Sequence, residues 1–178
     1  MKPSLAGTWC LAVLALAGCA ATPKAYHPAA VPEAPPASDP LLLERITPVA
    51  ITGVLDGLGR EYRVGYDNYG APLIGVLPTD TDETQELFVL FNGCNDRNAC
   101  EDVTLVAWDL ANGPTHLDMV NRWNRENRFS RAFMDPDYGP VLQTDINSTG
   151  GIGPDALAMR IERYFSDLQR FSAAADIV

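Results

Sequence analysis

Acidic residues are the side chains in this sequence whose type and spacing could do hydrolytic chemistry. Asp135 and Asp137 lie two residues apart in a turn, and Asp145 follows on the returning arm. A hydrolase that uses two carboxyl groups holds them in fixed positions around a cleft, which an exposed turn does not provide. Residues 121–151 also hold no pairing of a nucleophile with a base. We therefore expect a binding protein without catalytic residues, with a small carboxylate-based hydrolase as the rival interpretation.

Two cysteines, Cys94 and Cys100, bracket a short loop between two apolar segments. In an oxidising compartment such a pair most simply forms a disulfide, which closes the loop. A redox-active pair is the alternative, but the CxxC spacing and an adjacent helix N-terminus are missing. A zinc site would need further ligands, and none lies nearby in the sequence.

A glycine-rich segment, residues 151–156, matches the dinucleotide-binding pattern GxGxxA. The strand before it is the second arm of a predicted hairpin and no strand follows the helix, so the βαβ unit that holds a dinucleotide is missing. Asp155 would also place a negative charge beside a bound pyrophosphate. The two histidines, His27 and His116, lie on different elements. We expect neither a cofactor nor a metal.

Four arginines recur at every third position, which resembles a phosphate-binding strip; they are Arg122, Arg125, Arg128 and Arg131. The predicted helix gives way to a strand after Asn127, so these side chains cannot share one face. The formal net charge of −10 also argues against nucleic acid as a partner. With 178 residues, of which 47% are hydrophobic, the chain is long enough for one core.

The N-terminus has the layout of a bacterial lipoprotein signal. Lys2 precedes an apolar run over residues 5–17, which is too short to span a membrane. Residues 16–19, Leu-Ala-Gly-Cys, resemble a lipobox, in which the thiol of Cys19 accepts a diacylglyceryl group. An ordinary signal peptide, cleaved after an Ala-x-Ala-like site, is the alternative. Ala20 after the cysteine favours the outer membrane over the inner one.

Three sections of sequence follow from this interpretation. Residues 1–18 form the signal peptide, and residues 19–40 form an Ala/Pro-rich tether that begins with the lipidated Cys19. Residues 41–178 form one domain. The predicted location is the periplasmic face of the cell envelope, where the lipid on Cys19 would bind the membrane.

Within that domain, helical and strand patterns alternate in a way typical of an α+β fold. A helix is predicted from Thr47-Pro48 to Gly59, and a long one after Gly153-Pro154. Strands are predicted at residues 62–66, 73–77, 86–92 and 102–110. Since hairpin turns join them, we expect an antiparallel sheet with helices packed on one face.

Residues 121–151 form the central segment of the predicted domain, because a helix, a hairpin and the start of the last helix meet there. A helix capped by Thr115 ends near Asn127, and residues 128–134 alternate as a strand that returns after the turn at 135–139. In this hairpin Met134 lies opposite Pro140, and the remaining pairs are Phe133 with Val141, Arg131 with Gln143 and Phe129 with Asp145. Arg131 and Asp145 become diagonal neighbours. The candidate partner-binding residues are Arg131, Gln143, Asp145 and Trp123.

Several motifs in this stretch resemble the YbjN family. They are Trp123-Asn124, the run RFSRAFMD at residues 128–135, Gly139-Pro140 and Gly150-Gly151. The likeness covers roughly residues 41–175 and departs at Tyr138 and at Trp108-Asp109. It implies a fold similar to that of type III secretion chaperones, a role in sensory transduction, and a homodimer.

Together, these features predict a lipid-anchored, chaperone-like binding module that engages another protein in the envelope. The alternative is a sensor of a small envelope ligand. That interpretation requires an apolar cavity between the sheet and the last helix.

Overall fold

The computed structural model describes residues 42–78, 86–108 and 117–175. Three helices and six strands lie in this part of the chain, which confirms the α+β class. In chain order they are α1 (Pro48–Gly57), β1 (Tyr62–Tyr66), β2 (Pro72–Val76), β3 (Glu86–Asn92), β4 (Asp102–Trp108), α2 (Leu117–Glu126), β5 (Arg131–Asp135), β6 (Gly139–Asn147) and α3 (Pro154–Ala175).

The six strands form one antiparallel sheet in the order β1-β2-β3-β4-β6-β5. Its two central strands, β3 and β4, are those that the sequence predicts to be most buried. The last hairpin joins with β6 against β4, which leaves β5 and β1 at the two edges. Long-range pairing of β4 with β6 therefore holds the two halves of the sheet together.

All three helices contribute to a single core on one face of the sheet. Thr47 caps α1 by accepting a 3.2 Å hydrogen bond from the Ala50 N–H, and Ile51 and Leu55 are fully buried. The apolar stripe of α3 is buried as predicted: Leu157, Ile161, Tyr164, Phe165, Leu168 and Phe171. These side chains meet the inward residues of the strands, among them Ile74, Val89, Leu105 and Leu142. We call this side of the sheet the helix-covered face.

Side chains that alternate with this core lie on the other side of the sheet, which we call the open face. The strand register aligns one row of them across all six strands: Arg63, Gly75, Phe88, Val106, Gln143 and Arg131. None of these six belongs to the core that the helices cover.

The β5–β6 hairpin has the predicted register, with Met134 opposite Pro140 and Arg131 opposite Gln143. The predicted start of the strand is wrong, because β5 begins at Arg131 and Phe129 does not pair with Asp145. Ser130 instead donates a buried 2.7 Å hydrogen bond to Asp167 on α3. Before Arg131 the chain stays beside β6 without backbone pairing, since the Thr144 hydroxyl donates 2.5 Å to the Phe129 carbonyl.

The loop between β3 and β4 is closed by a disulfide between Cys94 and Cys100. The segment before α1 contacts this loop through Arg45. Its guanidinium donates a 2.9 Å hydrogen bond to the Gly93 carbonyl and lies 3.1 Å from the Glu101 carboxylate. Cys100 itself is fully buried. The disulfide therefore lies against the core at one end of the sheet.

Several predictions fall outside the described residues: the signal peptide at 1–18, the tether at 19–40 with Cys19, and Thr115 as a helix cap. In the part of the chain that the structure does describe, no helix is both long enough and apolar enough to cross a membrane.

Candidate functional site

Asp145 is the centre of a polar cluster on the open face. Its Oδ1 accepts hydrogen bonds from the Thr104 hydroxyl at 2.8 Å and from the Gln143 amide at 3.1 Å. The Arg131 guanidinium lies 4.0 Å from its other carboxylate oxygen. The structure thus brings together three of the four candidate residues from the sequence: Arg131, Gln143 and Asp145.

The cluster extends across the central strands through two residues that the sequence patterns do not single out. Asn92 donates to the Thr104 oxygen at 3.2 Å and to Asp102 at 2.7 Å. Thr104 is only 9% exposed, so the network is anchored in the sheet. Only the strand register could have identified these two residues, since it places Thr104 opposite Asp145 and Asn92 opposite Asp102.

Arg131 is the member of this cluster that is free to change partners. Its side chain is 65% exposed and that of Asp145 is 54% exposed. An ion pair of 4.0 Å between two such exposed groups contributes about 1 kcal/mol or less, because water screens it. A carboxylate of a binding partner can therefore replace Asp145 as the neighbour of the guanidinium at little cost.

An aromatic row lies beside the polar cluster on the same face. Phe88 stacks on Trp108 with ring centroids 4.9 Å apart, and Trp108 contacts Tyr138 at 5.7 Å. Val106 and Val141 are also buried, although neither belongs to the core under the helices. The two described positions at which the sequence departs from the family motifs, Trp108 and Tyr138, are thus in contact with each other.

A groove of about 370 Å³ continues the open face towards β1. It forms where Gly65 and Gly75 contribute no side chains, and its lining includes Leu73, Leu77 and Phe88. A Cβ added at Gly75 would lie 3.5 Å from the Phe88 ring. Glycine at this position therefore leaves room above the sheet next to the aromatic row.

Trp123 does not join the other three candidates. It is 6% exposed and packs edge-on against Phe171 at 5.1 Å on the helix-covered face, the side opposite Arg131, Gln143 and Asp145. The reason is that α2 buries its apolar face against α3. We therefore correct the candidate site by removing Trp123 from it.

A second depression, which we call the α3 groove, separates β6 from α3 and has a volume of about 300 Å³. Its lining residues are Phe129, Thr144, Asp145, Ile146, Met159, Arg160, Arg163, Tyr164 and Asp167. It lies where the sensor alternative calls for an apolar cavity, and its lining combines apolar side chains with two arginines and two aspartates. Elsewhere in the described ranges, no group of three or more His, Cys, Asp or Glu side chains could hold a metal.

The family model for YbjN, described as "Putative bacterial sensory transduction regulator", matches residues 47–176. The chain belongs to the YbjN family. That description is of a regulator, and it names no enzymatic activity. The matched residues include every described element from α1 to α3.

A solved structure supports the same fold. It is the "Crystal structure of YbjN, a putative transcription regulator from E. coli", with a TM-score of 0.50 and 12% sequence identity. The likeness covers 74% of this chain and 91% of that one. No curated protein sequence matches this YbjN family member. At this level of identity the crystal structure supports the fold only.

Proposed function

We propose that this YbjN family member is a binding module of the cell envelope that engages another protein through the open face of its sheet. The observation that carries the proposal is an aromatic and aliphatic surface that no described helix covers. Val106 and Val141 are 6% and 4% exposed there, although neither belongs to the core under the helices. Their burial depends on neighbours that are themselves accessible.

The composition of this surface is that of a protein interface. Aromatic residues and arginine are enriched where proteins bind each other, because they combine a large contact area with directional polar groups. Phe133 is 37% exposed and Tyr138 is 59% exposed, next to the Trp108 ring. Arg131 and Gln143 lie at the side of this apolar area, where polar contacts set orientation and specificity.

The envelope location rests on the lipobox-like sequence at Cys19 and on the oxidised loop. A disulfide between Cys94 and Cys100 is stable in the periplasm, whereas the cytosol keeps thiols reduced. A lipid on Cys19 and the tether at residues 19–40 would hold the binding domain beside the membrane.

The rival hydrolase is disfavoured by what the acidic side chains already do. Asp135 accepts hydrogen bonds from the backbone N–H groups of Asp137 at 2.9 Å and Tyr138 at 3.0 Å, so it shapes its own turn. Asp145 is held by Thr104 and Gln143. Both carboxylates thus have hydrogen-bond partners within the domain, whereas hydrolysis requires two carboxyl groups placed to act on a substrate in a cleft.

Photo-crosslinking in living cells tests the open face directly. A crosslinking residue in place of Phe133 should give a discrete adduct with one envelope protein, and the W108A/Y138A variant should lose it. The same residue at Val49, which is 79% exposed on α1, is the matched control and should give no such adduct. Equal labelling from both positions, or no adduct at Phe133, would contradict the proposal.

A further inference from the structure

Strand β6 has an unpaired stretch at its outer side. β5 pairs with it only as far as Gln143, while β6 itself continues to Asn147. On the inner side, Ser148 donates 2.9 Å to the Glu101 carbonyl. Because hydrogen bonding alternates along an antiparallel ladder, the backbone groups of Asp145 and Asn147 are turned away from β4. We call these groups the outer edge of β6; in the described chain no strand pairs with them.

The α3 groove lies directly beside this edge and offers apolar contacts. Ile146 and Tyr164 form its floor and are each 1% exposed. Phe129 and Met159 form accessible walls, 61% and 55% exposed. A strand added to the edge would turn every second side chain towards this groove, since strand side chains alternate between faces.

The charges around the groove are unequal. Each of its two acids has a basic neighbour outside the groove, since Arg131 lies 4.0 Å from Asp145 and Arg170 contacts Asp167. Its two arginines, Arg160 and Arg163, form no ion pair within the described residues.

Arg163 lies over the Phe129 ring, with its guanidinium carbon 4.2 Å from the ring centroid, a contact that does not neutralise the positive charge. Beyond Phe129 the depression is lined by equal numbers of basic and acidic residues, so the positive charge without an acidic partner lies at Arg160 and Arg163. In a protein with a formal charge of −10, this groove favours an acidic occupant.

We propose that the outer edge of β6 binds an extended, acidic segment of another protein as an added strand. Its backbone would pair with Asp145 and Asn147, and its acidic side chains would contact Arg160 and Arg163. Strand addition takes affinity from main-chain hydrogen bonds and specificity from alternate side chains. This site shares Asp145 with the open-face cluster but uses the backbone of that residue, and it requires no partner to be bound on the open face.

The test uses the soluble domain with its disulfide intact and two synthetic peptides, both acetylated and amidated. One alternates glutamate with valine over eight residues, and the other replaces each glutamate by glutamine. Fluorescence anisotropy should show binding of the glutamate peptide, and the amide NMR signals of Asp145 and Asn147 should shift. The R160A/R163A variant should bind it about tenfold or more weakly, because charge-assisted hydrogen bonds are lost.

Matched variants separate this site from general charge and from the open face. R97A/R122A removes the same charge from exposed positions outside the groove and should bind as the unmodified domain does. N147P removes one outward N–H and should abolish binding, whereas N147S, which keeps that N–H, should not. The open-face variant W108A/Y138A should leave peptide binding unchanged.

Four results would overturn the inference: no binding, equal binding of the glutamine peptide, unshifted signals of Asp145 and Asn147, or equal weakening in both arginine pairs. Self-association through this edge in sedimentation, with the peptide excluded, would assign the edge to a second copy of the chain and overturn it as well.

Discussion

At the scale of single residues, Asn124 shows how one side chain positions the edge strand of the sheet. Its amide nitrogen donates 2.9 Å to the Ala132 carbonyl, and its amide oxygen accepts 2.8 Å from the Ala132 N–H. Both bonds connect α2 to β5 in the place where a neighbouring strand would otherwise pair. This residue belongs to the Trp123-Asn124 motif, and its role is structural.

The N124A variant should therefore lower the free energy of unfolding by about 2 kcal/mol, since two net hydrogen bonds are lost. Asn121, which is exposed on the same helix, provides the control, and N121A should change the value by less than about 0.5 kcal/mol. Urea unfolding followed by circular dichroism measures both. Equal effects of the two substitutions would contradict this role for Asn124.

Tyr164 is a buried titratable group with a predictable effect on alkaline stability. Burial raises the pKa of its hydroxyl well above the ordinary 10.0, and this hydroxyl donates 2.8 Å to the Leu142 carbonyl. Below about pH 10 the tyrosine is protonated in both the folded and the unfolded chain, so it adds no pH dependence. Above that pH only the unfolded chain releases the proton, and the stability falls.

The Y164F variant should lack this alkaline loss, although removal of the hydrogen bond should cost it about 1 kcal/mol at neutral pH. Denaturation curves between pH 8 and pH 11 would show the two stability profiles converging as the pH rises. Y69F, at a side chain that is 96% exposed, is the control and should retain the full alkaline loss. A constant gap between the unmodified domain and Y164F would contradict the argument.

At the scale of elements, local patterns in the sequence predict more than contacts between distant segments. The β5–β6 register follows from period-two alternation and from a turn whose Gly139 has a φ of 73°, a conformation that glycine adopts readily. The start of β5 was missed because it depends on the bond from Ser130 to Asp167, which lies 37 residues further along the chain. The alternation of residue types at 128–134 cannot predict that hydrogen bond, because it reflects only neighbouring residues.

The candidate site divides in the same way. The diagonal contact of Arg131 with Asp145 follows from the hairpin, and it could be predicted. Thr104 and Asn92 could not, because their approach to Asp145 depends on β6 pairing with β4 across α2 and β5 in sequence. Trp123 was misassigned to the site since its position on α2 does not reveal which face of the sheet the helix covers.

The contribution of the Cys94–Cys100 disulfide to the free energy of unfolding can be predicted from the length of the loop that it closes between β3 and β4. The disulfide closes a loop with a sequence separation of 6 residues. By the chain-entropy model, that closure contributes about 2 kcal/mol. The reduced domain should keep its fold and lose this amount, because the rest of the core does not depend on the bond.

Urea unfolding with and without a reductant measures the difference. The C94A/C100A variant is the control, because its stability should not respond to the reductant. Loss of the folded circular dichroism spectrum on reduction would show that the disulfide is needed for the fold itself.

At the scale of the whole molecule, the proposed lipid at Cys19 can be tested apart from the folded domain. No helix among the described residues is both long and apolar enough to cross a membrane, and the formal charge of −10 opposes attraction to anionic headgroups. The proposed attachment to the membrane rests on Cys19. A diacylated cysteine with a further acyl chain carries enough apolar carbon for stable anchoring, whereas a single chain binds only reversibly.

The C19S variant tests this dependence in a Gram-negative host. The unmodified chain should incorporate labelled palmitate and sediment with the outer membrane, and C19S should do neither. The variant A20D places an acid after the cysteine and should keep the label while moving the protein to the inner membrane, which separates anchoring from sorting. C94A/C100A keeps Cys19 and should incorporate label as the unmodified chain does. Label retained in C19S would place the lipid on another residue, and absence of label in the unmodified chain would contradict the lipid anchor.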